Sequence, residues 1–290
     1  MDTYQYHRPT SLAEALEARR QEPEARWLAG GTDLMVQLRN GRAGTPPALI
    51  SLRHVPELKG IEDGERVRIG AAVTLGELAL NESIGRRFPA LHEAIAAVGS
   101  RQIRNVATLA GNLCNASPSA DTAQALLVYG ACLEISGPDG QREIVLKDFF
   151  TGPGSTKLQS GELVSAILLA KPPGNAGATF RRKARVAMDI ATVSVAAYVE
   201  IEDGCITKVR ASAGSVAPTP LRLTAVEELL MGQAPSQELL QSIRSLASES
   251  VSPITDIRAS EGYRRRLTGV LLQRSFEALF DMQTAKGCTR

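Results

Sequence analysis

Histidine and cysteine are both scarce in this chain. Its 290 residues include three histidines and four cysteines. His7, His54 and His92 are far apart, which argues against a histidine-rich metal site. The spacings of Cys114, Cys132, Cys205 and Cys288 match no zinc or iron–sulfur ligand pattern. They read as reduced thiols of a cytoplasmic protein, with Cys132 and Cys205 as simple packing. No apolar run reaches the roughly 18 residues that a membrane span needs. The opening "MDTYQYHRPTSLAEALE" is polar and contains acids, unlike a signal peptide. Strong charge is missing too. The net charge is +2, and "RRKAR" (181–185) and "YRRRL" (263–267) are the only basic clusters. Neither is interleaved with aromatics, so nucleic acid is not an expected partner. The second cluster reads as a solvated face or an anion-contacting loop.

At 43% hydrophobic and 22% charged, the chain can bury a sizeable core. Its length points to two domains, or to one large domain with an appendage. The spacing predicts a helix over 10–22 capped by Thr10 or Ser11, then a short strand "ARWLAGG". A helix led by Asp33 follows and ends at Gly41. Further predictions are a buried strand over 47–53, a strand over 66–74, and a helix over 74–81 capped by Thr74. A helix over 88–99 ends at Gly99. Residues 100–121 show no period and read as a polar loop. A helix over 122–131, a hairpin across Pro138-Asp139-Gly140 and a strand over 161–170 complete this mixed half.

"KPPGNAGA" (171–178) reads as a linker. After it, two long β-type runs flank Asp203-Gly204, a strong hairpin signal. Three helical segments follow, near 221–232, 236–249 and 261–282. The chain is therefore α+β, with an antiparallel sheet followed by helices in its second part. There is no internal repeat.

Two stretches carry candidate chemistry. In "LAGGTDL" (28–34) adjacent glycines end a strand and precede a helix. Such a turn can aim consecutive backbone N–H groups at an anion, and the helix N-terminus adds to the field. On its own the stretch equally fits a tight turn without ligand. It matches neither the GxGxxG fingerprint nor the P-loop. The second stretch is "NVATLAGNLCNASPSAD" (105–121). Thr108, Gly111, Asn112, Asn115, Ser117 and Ser119 offer polar groups beside strongly apolar helices, and Asp121 could accept from a ribose hydroxyl. A polar, small-residue segment beside a core either binds something or is held by its own hydrogen bonds.

"LAGGTDL", "TLAGNLCNASPSAD" and "RRKARVAMDIATVSVAAYV", in this order and spacing, resemble the FAD-binding subunit of the molybdenum hydroxylases. That group includes xanthine dehydrogenase, carbon monoxide dehydrogenase and hydroxybenzoyl-CoA reductase. The resemblance runs over nearly the whole chain. It implies a vanillyl-alcohol-oxidase-like (PCMH-type) fold with two FAD-binding subdomains, 1–56 and 57–175. A C-terminal α+β domain, 176–290, would carry a three-stranded antiparallel sheet and a helical bundle. By this resemblance Leu28, Ala29, Gly30, Gly31, Thr32, Asp33 and Leu34 hold the FAD diphosphate through backbone N–H groups. Thr108, Ala110, Gly111 and Asn112 clamp it from the other side, with Ser117 in the same loop. Asp121 matches the acid near the ribose and adenine, and Val164 packs near the adenine end. Arg181 or Lys183 approaches the flavin and would stabilise its reduced, anionic form.

The departures carry expectations of their own. No histidine lies in either loop, so FAD should be non-covalent. The cysteine-rich insertion of the hydroxybenzoyl-CoA reductase branch is missing, so its additional cluster is not expected. Ala110 stands where many relatives have glycine and is small enough to keep the approach close. The resemblance implies the medium subunit of a heterotrimer, with no residue catalytic toward the organic substrate. A large molybdenum subunit holding molybdopterin and a small subunit with two [2Fe–2S] clusters would be its partners, assembled as a dimer of heterotrimers. The cofactor carries the chemistry, and the protein supplies position and shielding. Two other readings are a stand-alone flavin reductase of similar fold and a flavin-free assembly module.

Overall fold

The computed structural model describes residues 4–42 and 44–287. Cys288 lies outside the described residues. The first elements are β1 (Gln5–His7), α1 (Leu12–Gln21), β2 (Arg26–Leu28), α2 (Leu34–Arg39) and β3 (Ala48–Ser51), whose three strands form a small parallel sheet in the order β1-β3-β2. Ser11 caps α1 by accepting from the Glu14 N–H. All four residues of β3 are buried, as expected of a central parallel strand.

A five-stranded antiparallel sheet follows. It combines β4 (Ile61–Asp63), β5 (Arg66–Gly70), β6 (Cys132–Gly137), β7 (Gly140–Val145) and, after the short pair β8 (Phe150–Gly152) and β9 (Ser155–Thr156), β10 (Leu163–Ala170). The order is β4-β5-β10-β6-β7, which makes the apolar β10 central. Between β5 and β6 lie α3 (Leu75–Leu80), α4 (Glu82–Arg87), α5 (Pro89–Ala97), α6 (Arg101–Arg104), α7 (Leu109–Cys114) and α8 (Asp121–Tyr129). Thr74 and Glu77 form a complete capping box on α3. Gly130 closes α8 in the left-handed region at φ 67°. The aperiodic segment 100–121 is not a loop throughout. Ser100 and Thr108 cap two helices, α6 and α7, that are too short to show a period.

The last part carries β11 (Ala176–Lys183), β12 (Val193–Glu202), β13 (Cys205–Gly214) and β14 (Leu221–Arg222), then α9 (Thr224–Leu230), α10 (Gln237–Glu249) and α11 (Glu261–Gly287). The three long strands form the expected antiparallel sheet, and the two-residue β14 adds a fourth edge. β11 begins inside the stretch read as a linker, because Ala176 already pairs with Glu200. Asp203 and Gly204, at φ 49° and 78°, make the two-residue turn between β12 and β13.

The faces of this sheet belong to different cores. Ala178, Phe180, Ala196 and Tyr198 face α5 and α8 and join the core of the first part. Val193, Val195, Ala197 and Val199 join a second core with the C-terminal helices. Edge-to-face rings bind the first interface. Phe88 and Tyr129 are 5.1 Å apart, and Tyr129 and Tyr198 are 5.9 Å apart. Each such pair contributes about 0.5–1.5 kcal/mol beyond area burial. No helix among the described residues is long and apolar enough to cross a membrane.

Candidate functional site: a cleft between two glycine loops

The main cleft has a volume of about 620 Å³ and lies where the parallel sheet, the antiparallel sheet and the C-terminal sheet meet. This is the size of a small-molecule or cofactor site. One wall is the turn after β2. Leu28 ends the strand beside Ser51, and Gly31 adopts φ 73° before α2 begins. Among the described residues, the N–H groups of Gly30, Gly31, Thr32 and Asp33 make no backbone hydrogen bond. Free donors in a turn before a helix favour an anion. Asp33 occupies the N-cap position of α2 without a side-chain cap bond, so its help to the helix is electrostatic. Partial desolvation pushes its carboxyl above the usual range.

The facing wall is the entry to α7. An isolated bridge between Thr74 and Thr108 and a 2.8 Å bond from Leu75 N–H to the Ala107 carbonyl set its position. The two walls touch. A Cβ on Gly30 would fall 2.1 Å from the Val106 carbonyl oxygen, so only glycine allows the approach there. One on Gly111 would fall 2.9 Å from Thr108 Oγ1, within its own wall, and at ordinary contact distance, 3.7 Å, from the Ala29 Cβ.

The polar side chains of the second segment serve the protein more than the cleft. Thr108 Oγ1 accepts from Gly111 N–H at 3.0 Å. Asn112 Oδ1 accepts from Thr122 Oγ1 at 2.6 Å, and Ser117 Oγ accepts from Ser119 N–H at 3.2 Å. What α7 presents to the cleft is chiefly backbone, including the Ala110 N–H in its first turn, which has no i−4 acceptor within the helix. Asp121 is different. It opens α8, its residue is 6% exposed, and its Oδ1 has no hydrogen-bond partner. Burial pushes its carboxyl up to about 6, and the nearby Arg182 pulls in the opposite direction. Such an oxygen at the edge of a cleft is free to accept from a ligand hydroxyl or from the Ser194 hydroxyl, which is likewise buried without a partner.

Fourteen of the predicted site residues line one cleft: Leu28 to Leu34, Thr108, Ala110, Gly111, Asn112, Ser117, Asp121 and Val164. Val164 is buried on β10 beside a bulge. Arg181 and Lys183 do not line it. They pair with Val195 and Val193 and share the sheet face of the second core. Arg182 pairs with Ser194 on the opposite face and reaches the cleft, with Nη1 3.1 Å from Asp121 Oδ2. The alternation of a strand decides this, because successive side chains point to opposite faces.

Trp27, whose Nε1 donates to the Glu162 carbonyl at 2.9 Å, lines the cleft with Met188 and Ile190, and none of the three is among the expected site residues. Trp27 had a usable signal, because it immediately precedes the glycine turn. Cys114 lines the cleft as well, and burial pushes its thiol up to about 12. Among the described residues no group of three metal-ligating side chains comes together.

The cleft thus brings together two backbone walls, a buried carboxylate oxygen and the apolar Val164.

Comparison with known proteins follows the same outline. Residues 2–172 match the family model described as "FAD binding domain in molybdopterin dehydrogenase". Residues 178–279 match "CO dehydrogenase flavoprotein C-terminal domain". The xanthine dehydrogenase FAD-binding subunit of Escherichia coli O157:H7 is 35% identical, with 92% of each chain covered. The carbon monoxide dehydrogenase medium chain of Afipia carboxidovorans is 33% identical, with 95% of this chain and 96% of the relative covered. Among solved structures, the carbon monoxide dehydrogenase from Hydrogenophaga pseudoflava superposes with a TM-score of 0.93 at 29% identity. That match covers 97% of this chain and 98% of the other. These relatives are subunits of oxidoreductases.

Proposed function

Because this chain belongs to the family of FAD-binding subunits of the molybdopterin dehydrogenases, we propose that it holds one FAD non-covalently and relays electrons within a heterotrimeric oxidoreductase. The observation that carries this reading is the cleft whose two backbone walls meet at Gly30 and whose edge holds the unpartnered Asp121 oxygen. When bound, FAD supplies reversible redox chemistry that no side chain here provides.

The chain's own residues bind and shield. The turn Leu28 to Leu34 donates backbone N–H groups to the diphosphate. Thr108, Ala110, Gly111 and Asn112 close on it from α7, with Ser117 beyond. Asp121 accepts from a hydroxyl of the sugar, and Val164 packs against a ring. The cation on the cleft side is Arg182, in the place the sequence reading gave to Arg181 or Lys183.

A large molybdenum-binding subunit and a small [2Fe–2S] subunit are the proposed partners, assembled as a dimer of heterotrimers in the cytoplasm. Electrons enter from the small subunit and leave to an external acceptor. The proposed division of the chain is 1–56 and 57–175 for the two FAD-binding subdomains and 176–290 for the C-terminal domain.

The test is to purify the chain with its neighbours in place and to record its visible spectrum. Expected are flavin absorbance, release of all flavin into solution on denaturation, and two co-purifying chains. A chain that takes up no flavin even on reconstitution overturns the cofactor reading. A flavin-loaded chain that is active alone and never associates overturns the subunit reading.

A further inference from the structure

We propose that Arg182 is the positioning residue of this cleft: one guanidinium on the C-terminal sheet joins three walls and holds the Asp121 carboxylate toward the ligand. The inference rests on reading the cleft as the FAD site.

The contacts of Arg182 lie on three different elements. Its Nη1 donates to the carbonyl of Ala97, the last residue of α5, and to Asp121 Oδ2 in the first turn of α8. Its Nη2 donates to the carbonyl of Asp189, in the segment that connects β11 to β12. That segment places two large apolar residues on the cleft, Met188 at 68% exposure and Ile190 at 51%. Exposed apolar side chains stay over an opening only if their backbone is tied down. The Asp189 side chain, paired with Arg185 Nε at 2.8 Å, stiffens the segment internally but does not tie it to the body of the protein. Arg182 does.

The fork geometry matters. A guanidinium presents several donors in one plane, so a single side chain can serve two carbonyls and a carboxylate at once. A lysine could supply the charge but not the same set of bonds.

The charge has its own role. Burial disfavours the ionised form of Asp121, and Arg182 is the main attraction that opposes this, with a smaller contribution from the Ser194 hydroxyl on β12. From α8 itself Asp121 has the uncharged neighbours Thr122 and Gln124, and α5 brings the Ala97 carbonyl, already taken by Arg182, and the Glu93 carboxylate, which accepts from the Phe180 N–H on β11. The Arg185–Asp189 pair lies beyond Arg182 on the connecting segment. Arg182 therefore keeps Asp121 an acceptor at neutral pH while its own bonds fix the carboxylate's direction.

The experiment compares the wild-type chain with Arg182→Met, Arg182→Lys and Asp121→Asn, each loaded with FAD. The flavin dissociation rate is followed from acidic to mildly alkaline pH. Wild type should lose flavin faster once the solution is acid enough to protonate Asp121, with a midpoint at or below about 6 because a ligand hydroxyl on the carboxylate favours its ionised form. Arg182→Met should release flavin about tenfold faster at neutral pH, the size of one lost charge-assisted hydrogen bond. Its pH midpoint should rise by about one unit or more, since the opposing charge is gone. Arg182→Lys should restore the midpoint but not the slow release. Asp121→Asn should show no midpoint in this range.

A merely structural Arg182 would change the rate and leave the midpoint in place, and that result overturns the proposal. If Arg182→Met does not fold, Arg182→Lys decides, and an unchanged release rate in it counts against the inference. If the wild-type chain binds no flavin, the cofactor reading fails instead. The pH dependence of unfolding in the flavin-free variants then still reports whether Arg182 governs Asp121.

Discussion

A Cβ on Gly30 would lie 2.1 Å from the carbonyl oxygen of Val106, so the two loops of the cleft meet backbone to backbone. Gly30→Ala must force them apart. The expected cost in the flavin-free chain is about 1–3 kcal/mol, as for other overpacked sites. Gly31 differs, because its limit is conformational. At φ 73° a branched residue pays about 1–2 kcal/mol, and its Cβ would press on Leu28 Cδ1 at 3.0 Å and Met35 Cγ at 3.2 Å, which shifts the turn that carries the backbone donors. Gly31→Val should therefore lose flavin out of proportion to its loss of stability. Thermal unfolding and flavin content measured on the same samples separate the two, and unchanged flavin content in Gly31→Val counts against the cradle.

Asp121 makes the flavin-free chain sensitive to pH in a defined direction. Its folded-state value of about 6 lies above the ordinary 3.8. Between those two values the folded state binds the extra proton, so this group's contribution to stability falls as pH rises from about 4 to about 6 and is flat above. The full effect is about 3 kcal/mol. Asp121→Asn should lack this fall. Chemical denaturation of both proteins at pH 4.5 and 7 checks it, and parallel curves reject the assignment.

Asp256 has the opposite sign. Burial works against its ionisation, but bonds from the Arg258 and Ala259 N–H groups and from Arg264 outweigh it and hold the carboxyl well below the usual range. Its stabilisation is present above the ordinary carboxylate pKa and is lost only as the solution becomes strongly acid. Arg264 is 3% exposed and also donates to the Thr192 and Ser215 carbonyls. Asp256→Ala leaves that guanidinium buried without its carboxylate. Urea unfolding at neutral pH should show a loss of about 3–5 kcal/mol.

Trp27 is the only tryptophan in the chain, and it lines the cleft. Its emission should be quenched as FAD is titrated in, saturating at one equivalent. Trp27→Phe removes the bond to the Glu162 carbonyl and should cost about 0.5–1.5 kcal/mol while flavin uptake persists. Emission that ignores added FAD would falsify the placement of the ligand in this cleft.

Much of the fold was legible because its signals are local. Thr74 announces the cap of α3, Asp203-Gly204 announces a hairpin, and the apolar spacing around Leu91 and Ile95 announces α5. The same holds for the cleft, since its two walls are continuous stretches of chain. What escaped was set by parity and tertiary context. Arg181, Arg182 and Lys183 are equivalent in composition, and only the pairing of β11 with β12 tells which one reaches Asp121. The helices α6 and α7 span four and six residues, too few for a period to emerge. The strand β11 starts among glycine and alanine because pairing with β12, not propensity, holds it.

The sheet of β11 to β13 has an apolar layer on each side, one owned by the first part of the chain and one by the C-terminal helices. Splitting the protein at Pro172 or Pro173 would thus sever a shared wall rather than separate two finished bodies. Each fragment would show water a face meant for the other, and neither should be soluble alone. On heating, the intact chain should melt in a single calorimetric step, because the inner sheet has no state in which only one of its sides is covered.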